Sequence, residues 1–367
     1  MSDSGRRARR VVPALAPALK GALAFAIAVA LVGCGGERQT ERWAVFGTTA
    51  ELTLPADTPE PLHREAARAL ATQWQAREAD WHAWKPSALT AFNTALAAKG
   101  EAQAPPSLRA LIDRSRPLVD DSGGYFDPGM GRVVAAWGFH TGDFPIRTPP
   151  PDDATLDAWA ARPDSLRDLR CDAEWRCVTS MRTLSLDFNA VAEGLALEEG
   201  ADALRVLGLR DALLNLGGDV VALGANGNAP WRVGLDDGEG GVLGGVALRD
   251  GEAFMSSGRY VKYREAPDGE RWPHVLDART GRPATGARLS AVLHPDAVRA
   301  DAAATALLAA GPDGFERVVR GMRLRCALLV DAGGRAHVTS GMAARFAWQR
   351  ELPEAARIDT GEGCGTR

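Results

Sequence analysis

Two stretches near the C-terminal end carry side chains that can act together, His274-Val-Leu-Asp-Ala-Arg-Thr-Gly281 and Asp301-Ala-Ala-Ala-Thr305. Asp301 and Thr305 are four residues apart, and on a helix that spacing points both side chains the same way. A carboxylate beside a hydroxyl is a pair of hard oxygen donors, suited to Mg²⁺ with phosphate completing its shell. The same spacing also fits a Thr back-bonded into its own helix beside a solvated Asp, and these two residues alone leave both readings open. His274 offers an imidazole that exchanges a proton near neutral pH, although an isolated His is often structural.

A helix must carry the pair. Asp296 is a good N-cap, Ala297 to Ala310 is rich in Ala and Leu, and Gly311-Pro312 supplies a stop. Around it the chain is 367 residues long, 46% hydrophobic, with a net charge of −4. That is ample for a sizeable core, and the lack of a basic stripe excludes nucleic acid as the expected partner.

The first residues read as an export signal. Arg6, Arg7, Arg9 and Arg10 form a positive region, Ala22 to Val32 is apolar, and Leu31-Val-Gly-Cys34 has the form of a lipobox. The expectation is a bacterial lipoprotein: a signal peptide over 1–33, a lipidated Cys34 with a polar tether to residue 42, and a folded domain over 43–350. A tail follows over 351–367. Such a protein is lipid-anchored in the cell envelope and faces the periplasm, on the inner or outer membrane. An uncleaved anchor and an ordinary cleaved signal are the alternatives. Of the other cysteines, Cys171 and Cys177 flank a short stretch that a disulfide can close. Cys326 lies in an apolar run and is expected as a buried thiol, with Cys364 free or disordered in a Gly-rich tail. Zinc-ligand spacing is absent from the Cys and His residues.

Between these ends, Trp43 to Leu54 reads as a strand, Leu62 to Asp80 as a helix, and Ser87 as the cap of a second helix. Leu108 to Ser115 is expected to be helical and to stop before Pro117. Gly123 to Phe139 reads as a loop or a partner-binding segment, and a long helix begins at Asp187 or Asn189 and ends near Gly208. Short strands crowd residues 212–293, and two more are expected at Leu324 to Val330 and Ala336 to Thr339. Helices and strands intersperse without regular βαβ alternation, so the expected fold class is α+β, a single large mixed domain.

Three further segments suggest ligand contact. Gly123-Gly-Tyr-Phe-Asp-Pro-Gly-Met-Gly131 combines backbone access with aromatic faces. Leu186 to Gly194 opens a helix whose free N–H groups suit an anion, or is simply a capped core helix. Leu214-Asn-Leu-Gly-Gly-Asp219 ends a strand on paired glycines, but it lacks GxGxxG spacing and a strand follows, so it is no Rossmann loop.

Taken in order, these strings resemble the ApbE-type FAD:protein FMN transferases, over about Val45 to Thr339. The resemblance rests on Phe46-Gly-Thr-Thr49, Trp84 to Asn93, Tyr125-Phe-Asp-Pro128, Trp137-Gly138, Asp187 to Gly194, Leu214 to Asp219, Pro230 to Gly234, Ser256-Ser-Gly258, His274 to Pro283 and Ala300 to Thr305. It implies Mg²⁺-dependent transfer of FMN from FAD to a Thr or Ser hydroxyl of a partner protein, with AMP leaving. The acceptor would be a membrane redox subunit or an FMN-binding domain. It further implies metal ligation by Asp301, Thr305 and the Ala190 carbonyl, and deprotonation of the acceptor by His274. Contact with FAD is implied for Phe46, Tyr125, Phe126, Asp127, Asp187, Glu193, Asn215, Gly217, Gly218, Asp219, Ser257, His274, Leu276 and Asp277. The sequence departs from the family pattern in Phe46, Ala88 and Ala278. At position 193 many members have Lys, and Arg259 is the candidate to offset Glu193. Hydrolysis of FAD to FMN and AMP, and flavin binding with little turnover, are the alternative readings.

Overall fold

The largely apolar runs Ala212–Leu216 and Ala327–Asp331 are buried along their whole length, as strands covered on both faces must be. The computed structural model describes residues 39–260, 262–266, 269, 271–361 and 363–364. The expected signal peptide and Cys34 lie outside the described residues. Nine strands form the main sheet in chain order: Gln39–Val45, Thr48–Leu54, Ala212–Leu216, Asp219–Leu223, Ala253–Gly258, Ala287–His294, Ala327–Asp331, Ala336–Thr339 and Glu354–Ile358. Neighbours are antiparallel except the last pair.

Side chains alternate across this sheet. Leu214, Val221, Met255 and Leu329 enter the core beneath the helices. Leu213, Val220, Phe254 and Leu328 enter a second core, against a three-stranded sheet of Trp231–Asp236, Val242–Leu248 and Phe346–Trp348. The result is one mixed α+β domain, as expected, with the longer helices on one face and the short helix Ser340–Arg345 against the second core.

Several boundaries differ from the sequence reading. Trp43 to Leu54 is part of a hairpin rather than one strand, and its first strand begins inside the expected tether. Its turn, Phe46-Gly47, has both residues at positive φ (54° and 70°), and Phe is not a residue that announces such a turn. The helix Pro106–Asp121 runs through Pro117, because Leu118 and Val119 beyond it are buried. The segment 123–139 is not all loop: Gly131–Ala136 is a short helix. The helix expected from Asp187 or Asn189 starts only at Ala192, since the Asp187 carboxylate binds the Asn189 N–H in a local turn.

Other local readings agree. Ser87 caps Ala88–Lys99 in a capping box with Thr90. The Asp296 side chain accepts from the Arg299 N–H, and the helix Ala297–Gly321 breaks at Gly311 before resuming. Cys171 and Cys177 are disulfide-bonded. Cys326 is not a free thiol: it is bonded to Cys364. Nor is the tail loose, since it adds the ninth strand; an apolar run hides a pairing partner 38 residues away. Among the described residues no helix is long and apolar enough to cross a membrane.

Candidate active site

The helices Ala192–Val206 and Ala297–Gly321 meet where neither has bulk. A Cβ on Gly194 would stand 2.6 Å from the Ala297 carbonyl oxygen and 2.9 Å from the Asp301 Cβ. At this contact the Gly194 N–H donates to Asp301 Oδ2, at 2.9 Å. That N–H lies in the first turn of its helix, where no carbonyl of the helix serves it, so Asp301 caps it from another helix. The Ala190 carbonyl, just ahead of the helix, has no hydrogen-bond donor among the described residues. One turn on from Asp301, the Thr305 hydroxyl is not back-bonded; it meets Ser257 Oγ at 3.3 Å. Asp301 is not the helix-surface residue its sequence context suggests, being only 6% exposed.

Two other carboxylates face the same junction. Asp219, just past the paired glycines, accepts from the Ser256 N–H at 2.8 Å. Glu193 directs its carboxylate toward Gly217 and Thr48, and a Cβ on Gly217 would lie 3.2 Å from Glu193 Oε2 and from Thr48 Oγ1. Gly217 has φ of 68°, a conformation and a space that suit glycine alone. The Asn215 side chain fixes this turn by accepting from Gly218 N–H at 2.9 Å. Burial, followed by repulsion from Glu193 at Asp219 and from Asp219 and Glu193 at Asp301, pushes both carboxyls well above the usual range. Burial likewise raises Glu193 to about 7, partly offset by Lys262. Arg259 does not offset Glu193. Its guanidinium donates to the Thr285 carbonyl.

These three acids feel one another without forming a carboxylate cage. Among the described residues, no three His, Cys, Asp or Glu side chains converge in liganding geometry. The available donors are instead a carboxylate, a hydroxyl and an unclaimed carbonyl, which is a hard-oxygen set that fits Mg²⁺. Three buried carboxyls that resist ionisation together are also a place where a cation would favour the charged forms.

His274 sits at the base of the hairpin Tyr263–Glu265 and Arg271–Pro273. Its ring lies edge-on to Phe139, with centroids 6.4 Å apart. Burial and then the nearby Lys262 lower its pKa to about 4, so the imidazole is neutral at physiological pH. Asp187 lies close enough to act on it in the opposite sense. Asp187 also meets His140 Nε2 at 3.0 Å, and Trp84 stacks on that ring at 5.4 Å. The sequence reading missed His140, Lys262 and Thr48. Only contact across distant segments identifies them, and no local pattern carries that signal.

The remaining candidates divide. Tyr125 lies beneath Arg279, whose guanidinium is 3.6 Å from the ring centroid, and Asp277 binds Arg279 through both carboxylate oxygens. Phe46 packs near Trp81, centroids 6.1 Å apart. Phe126 is buried in the main core and Leu276 in a smaller one with Trp137 and Trp159. The Asp127 carboxylate is occupied by Ser165 Oγ and the N–H groups of Gly129 and Leu166, so it holds the loop together.

The profile of the ApbE family matches residues 46–330. An FAD:protein FMN transferase of Rhodobacter capsulatus is 37% identical over 334 residues, covering 88% of this chain and 62% of that protein. The chain therefore spans a little under two thirds of that relative's length. An FAD:protein FMN transferase of Klebsiella pneumoniae (strain 342) is 32% identical over 262 residues, 68% of this chain and 72% of that one. Among solved structures, the apo flavinyl transferase ApbE of Pseudomonas stutzeri superposes with a TM-score of 0.66 at 26% identity, over 80% of this chain and 91% of that one. The ApbE protein of Thermotoga maritima gives 0.75 at 24% identity, over 86% and 100%, a likeness of fold.

Proposed function

The chain belongs to the ApbE family, and from that premise we propose that it transfers the FMN half of FAD to a Thr or Ser hydroxyl of a partner protein, releasing AMP. The observation that carries this reading is the buried Asp301 capping the helix that begins just after Ala190, with the Thr305 hydroxyl one turn on and the Ala190 carbonyl without a donor among the described residues. Those three groups would hold Mg²⁺, which when bound neutralises charge on the FAD diphosphate. Asp301 and the glycine turn at 217–218 fix where the dinucleotide lies. Neutral His274 accepts the proton of the acceptor hydroxyl. That oxygen bonds to the phosphorus of the FMN half, and the phosphorus–oxygen bond to AMP breaks.

The partner in this reading is a membrane redox subunit or an FMN-binding domain exposed outside the cytoplasmic membrane. The proposed address is the periplasmic side of the cell envelope through a lipid on Cys34, and it rests on the sequence alone. Incubation with FAD, Mg²⁺ and a flavinylatable domain, read by intact mass, tests the activity. One FMN on the acceptor is expected. An unmodified acceptor beside a working control enzyme contradicts transfer, and free FMN and AMP without acceptor would reassign the reaction to hydrolysis.

A further inference from the structure

Lys262 and His274 close the base of one hairpin. The backbone N–H of His274 donates to the Lys262 carbonyl at 3.0 Å, and ring Nδ1 meets the same oxygen at 3.1 Å. A carbonyl oxygen only accepts, so Nδ1 carries the hydrogen and Nε2 keeps its lone pair. The tautomer is thus set by the main chain of one residue.

The hairpin is tied to the segment 137–148. Arg264, 1% exposed, donates from its guanidinium to the Trp137 and Thr148 carbonyls. Ile146 exchanges backbone hydrogen bonds with Tyr263 and Glu265, at 3.2 and 2.9 Å. The Lys262 side chain, by contrast, is exposed and forms no ion pair among the described residues. Its charge is felt at both Glu193 and His274. It is a cation beside a site crowded with carboxylates, and it is free to meet an incoming anion.

We propose that Lys262 is a positioning residue for the transfer reaction: its carbonyl holds His274 with Nε2 as the free base, and its ammonium meets the diphosphate of the dinucleotide. This rests on the reading of the site as a flavin transferase. The hydroxyl proton passes to Nε2 as the oxygen–phosphorus bond forms, and AMP leaves with the electron pair of the broken bond. Glu193 provides the ammonium with a counter-charge before the dinucleotide arrives.

The test compares Lys262→Met and Lys262→Arg with the unmodified protein, using FAD-fluorescence quenching and flavinylation kinetics in Mg²⁺. Lys262→Met should weaken FAD binding and raise KM about tenfold, the scale of one charge-assisted contact, while kcat changes far less. Lys262→Arg should stay near wild type, and the Met variant should show a shallower dependence of FAD Kd on salt. Nitrogen-resolved NMR of histidine-labelled protein should find the His274 hydrogen on Nδ1. An unchanged FAD Kd in Lys262→Met, or a hydrogen on Nε2, overturns the proposal. Quenching requires no acceptor, so an inactive wild type whose FAD affinity still falls on Lys262→Met contradicts the transfer reading and supports the anion contact.

Discussion

Asp301 Oδ2 accepts the Gly194 N–H at 2.9 Å, tying two helices together where both lack bulk. The same oxygen belongs to a carboxylate whose charge is repelled by Asp219 and Glu193. Asp301→Asn keeps an acceptor for Gly194 and removes the repulsion. It should leave the metal-free protein at least as stable as wild type, with Tm raised by a few degrees, because a buried carboxyl that resists ionisation has given way to a neutral amide. Turnover should fall by about 10²-fold or more, the usual scale for losing a key electrostatic group. Thermal scans and flavinylation rates on the same preparations check both.

Removal of the metal should expose this repulsion as a pH dependence. Glu193 has a folded value of about 7 against an ordinary 4.5, and Asp219 and Asp301 shift in the same direction. A raised folded value means stability is full at low pH and is lost as pH climbs through it. Tm in EDTA should therefore drop between about pH 5 and about pH 8, and Mg²⁺ should recover more of it at the upper end. Equal Tm gains from Mg²⁺ at both values would remove the carboxylates as the cause.

His274 shifts the other way. Its folded value of about 4 lies below the ordinary 6.5, so the stability it contributes as a neutral ring is lost as pH falls from 6.5 toward 4. As a base it should stay competent well below pH 6, so that activity lacks an acid limb near 6.5. His274→Gln should lower kcat by about 10²–10⁴-fold with little change in FAD affinity, as loss of a general base does. A parallel loss of FAD binding would make the ring a ligand contact instead.

The Asp301–Thr305 pair was legible because helix periodicity is local: an Asp cap, an Ala-rich run and a Gly-Pro stop all lie within one segment. The strands at 212–216 and 219–223 were legible for the same reason, as apolar runs around paired glycines. The Phe46-Gly47 turn was not, since positive φ at Phe leaves no compositional mark. The Ala190 carbonyl entered only through the family resemblance, because a main-chain carbonyl left without a donor bears no mark in the residue pattern. The Cys326–Cys364 bond and the ninth strand were hidden likewise, as pairings between distant segments leave no periodic signal.

That bond gives a separate prediction. It closes a loop across 38 residues and pins the segment carrying Glu354–Ile358 to the second core. Replacing both cysteines by Ser should cost about 3–4 kcal/mol on loop entropy, seen as a lower denaturant midpoint. FAD affinity should hold, because the site lies at the other core, beneath the helices. A concurrent loss of FAD binding would show that the tail supports the site.

Gly194→Ala provides a steric probe of the helix contact. The added methyl would meet the Ala297 carbonyl at 2.6 Å and Asp301 Cβ at 2.9 Å. It should destabilise the fold by about 1–3 kcal/mol, the cost of overpacking, and lower the apparent Mg²⁺ affinity as Asp301 is displaced. Unaltered Mg²⁺ dependence would separate the contact from the metal.

The most direct measurement is a crystal structure with FAD and Mn²⁺, located by anomalous scattering. A single strong peak is expected within about 2.3 Å of the Asp301 carboxylate, the Thr305 hydroxyl and the Ala190 carbonyl, touching the diphosphate. A cation bound elsewhere, with those three oxygens turned from the dinucleotide, would contradict the proposed metal site.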